Sequence, residues 1–274
     1  DQPVATDGAV EQTTANNGQD SAQTTAAPQT GEVTPAAVQA PAVPAPVYDR
    51  EPREIKVETD LYTAVFSEDG GTVTSFQLKN HKETHDADSP GMELVKTTAG
   101  QGFPLQFSWG SAVGPKVLYE SSSQNIALSS GNKAAILTMT AQAGNGLLLE
   151  RTYSFDNSTF LIDMSVKVKN SSQTILQGSP QLGLVNTPFE GVASPANRFL
   201  FSGPAMFMNG ELTEIKADEF ETGPKKLQGA IEWVGYEGNY FLCALVPLGM
   251  DGASFSMEGD EALTRMNLGG ELDT

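Results

Sequence analysis

Cysteine is all but missing from this 274-residue sequence: Cys243 stands alone, so no disulfide can close within the chain. It lies in the apolar run YFLCALV, where a buried, inert thiol is expected. Histidine is nearly as scarce, with only His81 and His85, which leaves little material for imidazole catalysis or metal ligation. No stretch approaches the ~20 apolar residues of a membrane-crossing helix, and no basic segment followed by an apolar one opens the chain, so the piece reads as soluble. Basic residues are outnumbered: 16 Lys and Arg face 34 Asp and Glu, a net charge of −18. A surface this acidic repels phosphate backbones and anionic lipid alike, which excludes nucleic acid as a partner.

Residues 1–47 contain no Leu, Ile, Met, Phe, Trp or Tyr, and no Lys or Arg. With so little to bury against the entropy of ordering, residues 1–52 are expected to be a disordered tether rich in Ala, Thr, Gln and Pro. Pro-Ala spacing from Pro41 to Pro46 favours extended backbone. As a flexible coil, about fifty residues span on the order of 40 Å. The large apolar residues are held back for residues 53–274, enough chain to close one sizeable core.

From Ile55 onward the pattern has period 2. Ile55 and Val57, then Leu61 to Phe66, alternate as strands, Gly70-Gly71 supplies a turn, and Thr72 to Leu78 completes a hairpin. Further strands are expected over 105–109, 116–119, 134–141, 147–155, 160–169, 231–234, 240–246, 253–257 and 263–268, separated by Gly, Asn, Ser and Asp. Only LTEIKADEF, residues 212–220, offers a short helix. The fold class is therefore all-β, a large antiparallel sandwich. Asp1 is not an initiator methionine, and NLGGELDT follows the last strand without a closing element, so the sandwich is expected to be truncated at its C-terminal end.

Chemical motifs are few. His81 and His85 in HKETH have the spacing of a zinc helix, yet Lys82 occupies the place of the glutamate that a metalloprotease needs. DADSPG, residues 86–91, fails as a calcium loop because Pro90 and Thr97 stand where ligands belong. There is no phosphate-binding loop and no nucleophile elbow. Glu150 and Glu232 could form an acid and base pair of the kind that cleaves sugars, though nothing pairs them in sequence. No catalytic residue, cofactor or metal is expected. The stretch NRFLFSGPAMFMNG concentrates Phe199, Leu200, Phe201, Met206, Phe207 and Met208. It reads either as a core hairpin or as an apolar patch that meets a partner.

Three segments carry a family resemblance: LYTAVFSEDGGTVTSFQLKNHKE (61–83), LLLERTYSFDNSTFLIDMSVKVKNSS (147–172) and WVGYEGNYFLCALVP (233–247). In their order and spacing they resemble the large periplasmic domain of the bacterial membrane protein insertase YidC, over about residues 54–268. The resemblance implies a β-supersandwich similar to galactose mutarotases, joined to the membrane by a low-complexity linker. It also implies an accessory, non-catalytic domain at the periplasmic face of the inner membrane. The partners implied are Sec translocon subunits and nascent membrane proteins, with the Phe199–Met208 segment as candidate contact. The alternative is a carbohydrate-binding or aldose-epimerase-like sandwich, in which Trp109 and Trp233 would stack on sugars.

Overall fold

The computed structural model describes residues 50–110, 114, 116–176, 178–187, 201–249, 253–260 and 262–269. The expected tether, except for its last three residues, lies outside them. The first strands are β1 (Glu54–Glu58), β2 (Tyr62–Ser67), β3 (Thr72–Lys82), β4 (Gly91–Glu93) and β5 (Gln106–Trp109). They are followed by β6 (Glu120–Ser121), β7 (Asn125–Ala127), β8 (Ala134–Ala143), β9 (Leu147–Asp156) and β10 (Ile162–Asn170). The later strands are β11 (Pro180–Asn186), β12 (Gly203–Met208), β13 (Glu211–Glu214) and β14 (Lys225–Gln228), then β15 (Ile231–Glu237), β16 (Leu242–Leu245), β17 (Ser254–Gly259) and β18 (Thr264–Gly269). The architecture is all-β, as the period-2 pattern implies.

Two sandwiches make up the fold. In the first, a sheet ordered β4-β3-β2-β1-β7 faces one ordered β10-β9-β8-β6. Alternation explains why: Ile55, Val57, Tyr62, Ala64 and Phe66 all point inward and are fully buried, and the antiparallel register sets Ile55 opposite Phe66 and Val57 opposite Ala64. Across the core, the Phe66 ring meets Tyr153 at 4.8 Å and Phe155 edge-on at 5.6 Å between centroids. In the second sandwich, β14-β17-β18-β11-β5 faces β13-β12-β15-β16, around Met206, Val234, Tyr236, Phe255, Met257, Met266 and Leu268. The Tyr236 hydroxyl joins these two sheets by donating to the Thr264 carbonyl at 2.6 Å. The sandwiches meet at β5, which pairs with β11, and there Leu105 packs against both cores.

The Gly70-Gly71 turn forms as expected, both residues holding positive φ, 71° and 61°. Two expectations need correction. Residues 116–119 form no regular strand: Leu118 makes one bridge to Asp69, because this segment runs along the β2-β3 turn. The helix expected over 212–220 is instead the tail of β13 followed by a 3-10 turn, Ala217–Thr222. Pairing of β13 with β12 takes its first residues, while Ile215 and Phe220 enter the second core. The parallel pairing of β1 with β7 had no sequence signal, since Asn125–Ala127 is too short to show a period.

Candidate interaction surfaces

The start of the folded domain is fixed by a buried carboxylate. The Glu68 side chain is fully buried, an arrangement that is unfavourable unless every oxygen is satisfied. Arg53 donates to it through Nε at 3.0 Å and Nη2 at 2.7 Å, and its backbone N–H adds a third bond at 3.0 Å. The Ser121 backbone N–H and hydroxyl donate at 2.9 and 2.8 Å, and Arg50 pairs with the other oxygen. Burial pushes the Glu68 carboxyl up, but the Arg53, Ser121 and Arg50 hydrogen bonds outweigh it and hold the group well below the usual carboxylate range.

A buried cation holds the centre of the first sandwich. Arg151 is fully buried; its Nη1 donates to the Gly70 carbonyl at 2.7 Å and its Nη2 to the Leu105 carbonyl at 2.7 Å. The guanidinium lies 5.5 Å from the ring centroids of both Tyr119 and Tyr153. Arg151 therefore joins the β2-β3 turn to Leu105, the residue just before β5 that touches both cores. No sequence pattern marks this role, because an arginine in a strand reads as solvated.

Of the six residues proposed as a partner-contact patch, Phe199 and Leu200 lie outside the described residues. Met206 is fully buried in the second core, which removes it as a contact: β12 is an inner strand between β13 and β15, and this residue points inward. Phe201, Phe207 and Met208 are half-buried, and Met208 packs against the second core. Phe207 is on the opposite face, directly across from Leu212 on β13 and Trp233 on β15. Directly opposed residues share a face, so Leu212, Phe207 and Trp233 form an apolar row on the outside of this sheet, with Leu212 52% exposed.

The edge strand β16 and its flanks are apolar and exposed: Tyr240, Leu242, Val246 and Leu248 all stand in solvent. Cys243 is an exposed residue on this sheet edge, because an edge strand has only one neighbour to cover its backbone. It lies directly across from buried Tyr236, and burial pushes its thiol up.

The remaining sequence candidates do not converge. Glu150 on β9 pairs with Lys167 at 2.9 Å beside a groove of about 750 Å³, while Glu232 belongs to β15 of the other sandwich and accepts from the Gly210 N–H. His81, next to last in β3, has its ring edge-on to Phe241 at 5.3 Å, and His85 is exposed in the following loop. Among the described residues no group of three or more His, Cys, Asp or Glu could hold a metal ion. Trp109 is 4% exposed and cannot stack on a sugar, which removes half of the support for the carbohydrate alternative.

An all-β double sandwich with apolar outer surfaces is the class that these features define. Residues 54–268 match the family described as the YidC periplasmic domain, and the chain belongs to that family. Relatives named "Membrane protein insertase YidC" include those of Geotalea uraniireducens, 32% identical over 71% of this chain and 36% of the relative, and Geobacter metallireducens, 31% identical over 78% and 40%. That of Syntrophus aciditrophicus is 28% identical over 77% of this chain and 39% of its own length. The chain thus spans less than half the length of these relatives. No helix among the described residues is long and apolar enough to cross a membrane.

Proposed function

We propose that this chain is the periplasmic domain of a membrane protein insertase, acting without catalysis of its own as a protein-interaction module at the outer face of the inner membrane. Family membership over residues 54–268 carries this reading. Its partners are Sec translocon subunits and nascent membrane proteins, met through the apolar outer face that Phe207, Leu212 and Trp233 share. An apolar row on an otherwise acidic body suits a protein partner better than lipid or nucleic acid.

The test uses the full-length protein in cells depleted of their own insertase. Deleting residues 54–268 is expected to lower insertion of a reporter membrane protein, read by protease accessibility, and to abolish co-purification of translocon subunits. Unchanged insertion and unchanged co-purification would reduce the domain to a spacer.

A further inference from the structure

We infer that the outer face of the β13-β12-β15-β16 sheet receives a basic-amphipathic segment of a protein partner, one in which Lys or Arg flank apolar side chains. This rests on the proposed reading of the face as a protein contact and adds the chemistry that the contact selects.

The sheet is one-sided in charge. Its strands read GPAMFM, ELTE, IEWVGYE and LCAL. They hold Glu211, Glu214, Glu232 and Glu237, with no Lys, Arg or His. Among the described residues, none of these carboxylates takes part in an ion pair. On β1 and β9, by contrast, Glu58 pairs with Lys56 and Lys79, and Glu150 pairs with Lys167. Lys216, just past β13, is beside Glu219, which accepts from its backbone N–H at 3.1 Å.

Register places two of the carboxylates on the apolar face. Glu214 follows Leu212 by two positions on β13 and lies opposite Ala205, two positions from Phe207 on β12. Glu237 follows Trp233 by four positions on β15 and lies opposite Leu242, which is 49% exposed. Side chains two or four apart on a strand share a face. Glu214 and Glu237 therefore flank the row of Leu212, Phe207 and Trp233, about 7 Å from Leu212 and about 13 Å from Trp233 along their strands.

This arrangement decides between occupants. A wholly apolar segment would take Glu214 and Glu237 out of water with no countercharge, which is unfavourable. An acidic segment, anionic lipid or the same face of a second copy would be repelled. A segment carrying Lys or Arg satisfies the carboxylates, while the aliphatic stems of those side chains cover the apolar row and their cations reach the Phe207 and Trp233 rings.

The test places a photo-crosslinking phenylalanine analogue at Leu212 of the full-length protein in vesicles of neutral lipid. It is titrated with peptides of identical apolar pattern, one of Leu and Lys, the other of Leu and Glu. The Leu/Lys peptide is expected to crosslink at about tenfold lower concentration. In Glu214→Gln combined with Glu237→Gln, that gap is expected to narrow to about twofold. Neither carboxylate is in an ion pair, so this variant is expected to keep the parent's urea midpoint. Equal crosslinking of the peptides by the parent would overturn the inference, as would a gap that persists in the double variant. So would a crosslink to lipid or to a second copy that the Leu/Lys peptide does not displace. The readout measures neither insertion nor co-purification. Translocon subunits that still co-purify when the charge preference is absent leave the proposed function standing, and a charge preference without them leaves this inference standing alone.

Discussion

Arg151 donates from Nη2 to the carbonyl of Leu105 across 2.7 Å, tying a strand of the first sandwich to the residue that both cores share. Leu105 itself holds a positive φ of 69°, a conformation that costs a branched side chain about 1 to 2 kcal/mol. The arginine, together with the bond from the Leu105 N–H to the Gly183 carbonyl at 2.7 Å, keeps it there. Arg151→Ala would remove the donor to the buried Gly70 carbonyl and to the Leu105 carbonyl and open a cavity between two tyrosine rings. We expect a loss of about 3 to 5 kcal/mol in urea unfolding. Arg151→Lys restores charge without the planar fork and is expected to recover less than half of it. An Ala variant within about 1 kcal/mol of the parent would mean that the cradle is not structural.

Gly71 tests the same cradle from the other side. A Cβ there would lie 2.5 Å from Arg151 Nη1, at a φ of +61°. Gly210 has a similar φ of +78° with open space around it. Gly210→Ala should therefore show only the left-handed backbone cost of about 1 kcal/mol, while Gly71→Ala should add displacement of the guanidinium and cost about 3 kcal/mol. Equal losses at the two sites would show that Arg151 moves aside freely.

Glu68 makes the anchorage of Arg50 and Arg53 dependent on pH. Its carboxyl is held below the ordinary value of 4.5 in the folded state. The stabilisation is thus fully present above the unfolded pKa and is lost as pH falls through and below about 4 toward the folded value. Glu68→Gln removes that term. Unfolding midpoints followed from pH 7 to pH 3 should fall more steeply for the parent than for the variant. Parallel curves would contradict the assignment.

How much of this was readable in advance follows from burial. The β1-β2-β3 meander was legible because one face is core and the other is not, so Ile55, Val57, Tyr62, Ala64 and Phe66 keep strict order. The β8-β9 and β9-β10 pairings were legible for the same reason, with long strands and Asn or Gly turns. What stayed hidden was set by tertiary contacts. Arg151 looks like any polar strand residue until the Gly70 and Leu105 carbonyls are placed beside it. Met206 and Phe207 are neighbours in one apolar run, and only the pairing of β12 with both β13 and β15 sends one inward and the other out.

The outer row of Leu212, Phe207 and Trp233 provides the sharpest test of partner contact. Leu212 is 52% exposed, so Leu212→Lys should change stability by less than about 1 kcal/mol while placing a charge on the apolar row. Ile136, 61% exposed on β8 of the other sandwich, is the control: Ile136→Lys makes the same chemical change on a different surface. In the full-length protein, Leu212→Lys combined with Phe207→Gln is expected to lower co-purification of translocon subunits by about tenfold, the effect of losing roughly 1.4 kcal/mol of contact. Ile136→Lys should leave it unchanged. If both variants co-purify as the parent does, the row is not the contact; if both fail alike, added charge rather than position is responsible.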